Sequence, residues 1–399
     1  MIKKWTVEAW HVLALFAVTS LCSSAFAQDK ITASPVQQPI TLANVEPPPD
    51  IELEEPKAKA FSLELAARHL DRTALDWQKT HACTACHTML PYMMARPTLN
   101  AISPQAPEVR QFFEEIVAGK CEAMPNYSCD DLGGAVAIGV ASALAINDRY
   151  ATGKLQPITR QALDRMWMSQ RADGGWGWPY RDTPPLKVDE HYGVTMAAIA
   201  AGMAPDDYAK TPVAKTGLDG VRRFLQTTKA VSLHQRTMML WASAYVDDLL
   251  SPDAKAATLA DLMNAQRPDG GWSMANLVDN TSDTTLANDR VQQAKSEKGY
   301  GDTFLAFVGR DKNYTSTLAS DGYATGLVIF VARQAGLPAN DARLQRGIAW
   351  LKSNQRASGR WFTPSQAWHT QNLITNAGTA YAVLALHASG EAPTPGAAK

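Results

Sequence analysis

The chain has 399 residues, 46% of them hydrophobic and 19% charged, a composition that can bury one large core or two smaller ones and excludes a wholly disordered protein. Thirty-eight basic residues stand against 39 acidic ones for a formal charge of −1. No strong field is available to gather nucleic acid or to hold the chain on an anionic membrane surface, so a nucleic-acid partner is not expected.

At the start, Lys3 and Lys4 precede a short apolar run from Val12 to Leu21, and Ala25-Phe26-Ala27 forms an A-x-A cleavage site. This is the pattern of an export signal over residues 1–27, and it places the mature chain in the periplasm or outside the cell. Cys22 follows Leu21 where a lipidation site would need a small residue. No later apolar run is long enough to span a bilayer, so no transmembrane segment is expected in the mature chain. Residues 28–59 hold six prolines and the acidic cluster Glu52, Glu54 and Glu55, and read as a flexible tether. Residues 390–399, with Pro393 and Pro395, read as a disordered tail, which leaves a folded body over residues 60–389.

The first helix is expected from Ser62 to Gln78. Just after it stands Cys83-Thr84-Ala85-Cys86-His87, the C-x-x-C-H attachment signature of a c-type haem. Two thiols can form thioethers to the porphyrin vinyl groups, and the adjacent imidazole of His87 becomes the proximal iron ligand. The competing readings are a disulfide or an incidental zinc site. Met93 and Met94, on a second helix starting near Pro91, are the candidates for a sixth ligand, alongside core packing of both and an open coordination position. Farther on, Cys121 and Cys129 flank a short step containing Pro125 and are expected to form a structural disulfide.

The body repeats a unit of helix, loop and helix. First helices are expected over Pro107–Ala118, Pro157–Gln170, Gly217–Thr228, Asp253–Gln266 and Asn340–Gln355. Second helices, rich in small residues, are expected over Gly133–Ile146, Tyr192–Met203, Gln235–Val246, Tyr323–Gln334 and Ala377–Ala388. Three of the loops share a pattern: Gln170 to Trp176, Gln266 to Trp272 and Gln355 to Trp361 each run from Gln-Arg to a Trp six residues after the Gln. Asp173-Gly174-Gly175 and Asp269-Gly270-Gly271 can supply the positive φ that ends a helix, and the Trp offers a broad packing face. Residues 273–319 form a long polar insertion between the helices of the fifth pair.

These loops resemble the QW repeats of the terpenoid cyclase and protein prenyltransferase superfamily, including squalene-hopene cyclase. The third copy departs from the pattern with Gly359-Arg360 in place of two glycines. The resemblance implies an all-α fold, an (α/α)6 toroid of six helical hairpins, and the count of helix pairs agrees with it. An open solenoid is the alternative. The activities of the superfamily do not carry over. Asp130-Asp131 and Asp247-Asp248 both lack the first Asp of an Asp-x-Asp-Asp acid, and no Asp-x-Cys zinc motif occurs.

If the second helices line the ring, their first residues converge at one mouth. Asp130, Asp131, Asp189, Glu190, His191, His234, Asp321 and Asn376 would meet there. His191 with Asp189 and Glu190 is the strongest acid/base candidate, with Asp130 and Asp131 beside it. Ordinary helix capping is the competing reading for Asp131, Asp321 and Asn376. Trp178 and Tyr180 are candidate cavity contacts. The reading these features favour is a periplasmic protein with one covalent haem c, engaged in electron transfer or redox chemistry with a redox partner protein or a small-molecule substrate. The alternatives are a non-redox lyase, isomerase or hydrolase of the toroid class, and a binding or scaffold protein.

Overall fold

Two kinds of helix alternate along the chain, and their burial patterns sort them into two rings. In Leu63–His81 the buried residues Leu63, Ala66, Ala67, Leu70 and Ala74 recur at steps of three and four, leaving an opposite face in water. In Ile374–Ala388 every residue from Thr375 to Leu386 is buried, as expected of a helix enclosed on all sides. The outer helices are α1 (Leu63–His81), α3 (Pro107–Val117), α5 (Pro157–Met168), α7 (Pro212–Thr227), α9 (Pro252–Asn264) and α11 (Ala342–Asn354). The inner ones are α2 (Met89–Ala95), α4 (Gly134–Ala151), α6 (Glu190–Met203), α8 (Leu233–Ala242), α10 (Gly322–Gln334) and α12 (Ile374–Ala388).

The computed structural model describes residues 38–84, 87–120, 134–178, 185, 190–278, 317–366 and 372–392. The expected signal segment, the Cys121–Cys129 pair, most of the 273–319 insertion and most of the C-terminal tail lie outside these residues. Among the described residues there is no strand, only a single bridge between Lys57 and Arg356. No described helix is long and apolar enough to cross a membrane. The even-numbered helices pack in series, and α12 returns to α2. The chain therefore forms a closed α/α toroid, and the open solenoid is excluded.

The three repeated loops show how the ring is stapled. Nε2 of Gln170, Gln266 and Gln355 donates to the carbonyl of Gly174, Gly270 and Gly359 within its own loop, at 3.0, 2.8 and 3.0 Å. The same nitrogen also donates to a carbonyl early in the next outer helix: Gly217 at 3.0 Å, Arg343 at 2.7 Å, and Ser62, the N-cap of α1, at 2.8 Å. Each Trp indole, fully buried, donates back to the end of its own outer helix, at Met166, Leu262 and Leu351. These contacts satisfy carbonyls that would otherwise be orphaned. The third copy loses a glycine for a reason. Arg360 is 1% exposed, pairs with Glu55 at 2.5 Å, and donates to the carbonyls of Pro49 and Asp50.

Several expected boundaries shift. α4 runs past the expected Ile146 to Ala151, where Asn147 and Asp148 are buried and paired: Asn147 donates to the Met93 carbonyl, and Asp148 pairs with Arg110 at 2.8 Å. α7 starts at Pro212, where Thr211 caps it and the proline takes the first helical position. The expected tether is also corrected over Ile40–Lys59. Val45 is buried, and Glu55 and Lys57 bond the last loop. A proline-rich segment need not build a core to be held by arginine donors.

Gly174 has φ +90°, and a Cβ there would sit 1.9 Å from the Gly220 carbonyl of α7. Left-handed strain and overpacking together cost about 2–5 kcal/mol. Gly174→Ala should lower unfolding free energy by that amount in denaturant titration, and a loss below ~1 kcal/mol would contradict the close approach.

Candidate functional site

The mouth of the ring nearest the C-x-x-C-H motif is built by the end of α1, the loop to α2, and the start of α12. α1 does not stop at Gln78. It continues to His81 and ends at Ala82, whose φ of 46° and ψ of 48° turn the chain sharply. The hairpin below is held by a buried network. Arg96 pairs with both oxygens of Asp71, at 2.8 and 3.0 Å, and Tyr92 donates to Asp71 at 2.9 Å. Arg96 also donates to Ser103 and Pro104, so the angle between α1 and α2 is fixed by fork-shaped bonding.

On this base, Trp77 carries a histidine on each side. His81 stacks on the indole at 3.8 Å between ring centroids, and His87 meets it edge-on at 4.7 Å. Each imidazole has its Nδ1 at 2.7 Å from the hydroxyl of an adjacent threonine, Thr80 or Thr88. Cys83 and His87 are half-buried, and Cys86 lies outside the described residues. Trp77 Nε1 is buried with no hydrogen-bond partner among the described residues. Cys83, Cys86 and His87 are the residues that could hold a prosthetic group here. No group of three or more His, Cys, Asp and Glu suited to a metal ion occurs among the described residues.

The two methionines diverge. Met93 is buried with its sulfur 3.8 Å from Asn147 Nδ2 on α4. Met94 lines a cavity at the centre of the ring, together with Leu90, Pro91, Tyr192, Tyr323 and Tyr381. Behind that wall the aromatic rings form a cluster. His234 Nε2 lies 3.0 Å from the Tyr323 hydroxyl, Tyr192 stacks on His234, and Trp178 meets Tyr192 edge-on. The tyrosines escaped sequence reasoning, although Tyr192 and Tyr323 both stand at inner-helix starts, where a ring position faces the mouth.

The acid/base candidates are not brought together as a group. Asp130, Asp131, Asp189 and Tyr180 lie outside the described residues. Glu190 accepts from the Trp176 backbone N–H at 2.9 Å and pairs with Arg171, which ties it to the loop between Gln170 and Trp176. Burial raises its pKa while Arg171 pulls it down. His191 is 3% exposed, and neither ring nitrogen has a partner among the described residues. Burial pushes its pKa down to about 4. Asp321 caps α10 through Ala324 and also accepts from Met274, and burial raises its pKa to about 7. The capping reading holds for Asp321. Asn376 is no cap, because Leu373 occupies that position in α12.

No protein-family model matches the chain, and no curated protein matches it. Among solved structures, the chain is similar to a glycosidase variant in complex with glucose, at 12% identity and TM-score 0.47, covering 83% of this chain and 99% of that one. The wild-type glycosidase gives TM-score 0.45 with 12% identity and the same coverage. A variant of the type II terpene cyclase MstE from Scytonema, bound to geranylgeranyl dihydroxybenzoate, gives 0.42 and 12%, covering 82% and 98%. Likeness at this level carries nothing about chemistry to this chain.

Burial lowers the pKa of His69 and His234 to about 3 and that of His191 to about 4, against an ordinary 6.5. The unfolded chain then takes up protons that the fold refuses, so this stability is complete above pH 6.5 and is lost as pH falls toward 4. Asp321 works in the opposite direction over the same range, because its raised folded pKa favours the fold as pH falls from 7 toward 3.8. His387, also lowered by burial, adds to the imidazole side, and Asp71 and Glu190, also raised by burial, add to the carboxyl side, so proton uptake on unfolding near pH 5 is the difference between the two sets. His234→Phe should reduce that uptake by about one, read from the pH slope of unfolding free energy. An unchanged slope would contradict the buried, neutral imidazole.

Proposed function

We propose that the protein is an exported c-type haem protein in which one haem is fastened through Cys83 and Cys86 at the mouth of the toroid, with His87 as its protein ligand. The observation that carries this reading is the preset imidazole: His87 sits in the attachment motif with Nδ1 bonded to Thr88 and its ring against Trp77. A ring held at Nδ1 presents Nε2 to a metal. The buried Trp77 indole N–H, unpartnered among the described residues, is a donor of the kind that fits a propionate or another acceptor on such a group. A bound haem would supply a one-electron couple at the ring mouth.

The chain's own residues then have defined tasks. Asp71 and Arg96 hold the α1–α2 hairpin, Thr88 orients the imidazole, and Leu90 and Pro91 continue from that loop into the tyrosine-lined cavity. The site would serve a redox partner protein or a small molecule that meets the group at the mouth. Met94 lines that cavity and Met93 packs on α4, and both side chains are buried, so neither is singled out as a further ligand.

A second reading, a non-redox lyase, isomerase or hydrolase, rests on His191. Its two ring nitrogens are buried with no partner among the described residues, which leaves both open to a bond with a reacting group.

Expression in a host that attaches haem, with the native leader, tests the proposal. The purified protein should be red, keep its haem through acid-acetone extraction, and show a c-type reduced-minus-oxidised spectrum. Replacing both Cys83 and Cys86 by Ser should abolish the colour. A colourless, folded wild type overturns the haem reading and leaves the one built on His191.

A further inference from the structure

We infer that Asn376, on the last inner helix, is a positioning residue for His87 and acts through Thr88; this rests on the haem reading above. Asn376 and Thr88 are both buried and stand 288 positions apart in the chain. Asn376 Nδ2 donates to the Thr88 hydroxyl oxygen at 3.0 Å, and that oxygen lies 2.7 Å from His87 Nδ1. The amide does not serve its own helix, whose cap position is Leu373. Its Oδ1 is buried with no partner among the described residues, a desolvation cost that an apolar side chain would avoid. The bond to Thr88 is what the amide provides in that place.

The valences give the relay a direction. A threonine hydroxyl has one hydrogen and two acceptor positions. An imidazole that ligates through Nε2 carries its proton on Nδ1 and donates it, so Thr88 must accept from His87. Asn376 occupies the other acceptor position. An oxygen receiving two donors accepts each more weakly than one whose own hydrogen is drawn toward an anion. Asn376 thus holds the Thr88 oxygen in place while keeping it a modest acceptor, and His87 stays a neutral imidazole with little imidazolate character. A carboxylate at 376 would take the Thr88 hydrogen, strengthen the pull on the Nδ1 proton, and make His87 a stronger electron donor to iron.

The test is the midpoint potential of haem-loaded protein, measured with haem content and thermal unfolding for each variant. Asn376→Asp should lower the potential, Asn376→Leu should lie between it and the wild type, and Thr88→Ser, which keeps the hydroxyl, should retain the wild-type value. In a Thr88→Val background Asn376→Leu should no longer change the potential. Thr88→Val alone should raise it, which reads the relay even if the substitutions at 376 prevent folding. Haem-loaded variants whose potentials all match the wild type would overturn the inference while leaving the haem reading intact. Wild-type protein without haem would overturn both.

Discussion

Every helix leaves carbonyls without partners at its end, and a ring of short hairpins multiplies that problem at each turn. In this toroid the solution is one glutamine side chain that bonds its own loop and the next outer helix at once. Gln170, Gln266 and Gln355 all do so, and the last of them reaches the N-cap of the first helix. That final bond joins residues 293 positions apart, and with Arg360 on Glu55 it makes the two ends of the fold one surface. It joins the ends of the ring on the outside, as the packing of α12 on α2 joins them within.

Closure in turn assembles the site. The C-x-x-C-H motif belongs to the first hairpin, and the helix that bonds its loop is the last. Because α12 returns to α2, Asn376 meets Thr88 beside His87, and Ile374, Ala377 and Tyr381 face Leu90 and Met94 across the cavity. An open array of the same hairpins would leave His87 with only its local partners. The first loop also differs from the repeated ones. It has no Gly-Gly-Trp turn, and the buried pair of Arg96 and Asp71 supplies the rigidity that the glutamine staple gives elsewhere.

The hairpin order was legible in the sequence because apolar periodicity and the Gln-to-Trp spacing both report local physics. What depended on distant partners was not. α4 extends past Ile146 through Asn147 and Asp148, whose partners Met93 and Arg110 lie on other helices. Residues 40–59 look unable to pack, since composition records the lack of apolar area and not the reach of Arg360. Asn376 looks like a cap and is a cross-ring donor, while Asp321, read in the same way, does cap its helix. Thr88 carried no signal at all, being one threonine after a motif whose own letters drew attention. The acid/base group read from the inner-helix starts divides in the structure, with Glu190 tied to the loop between Gln170 and Trp176 and His191 buried without a side-chain bond among the described residues.

The central claim is that a prosthetic group is joined to the chain at Cys83 and Cys86. Intact mass of the exported protein, followed by peptide mapping across residues 83–87, tests it most directly. The account predicts the processed polypeptide plus the mass of one haem, carried on that peptide. A bare polypeptide mass from a host that loads its own c-type proteins would contradict it.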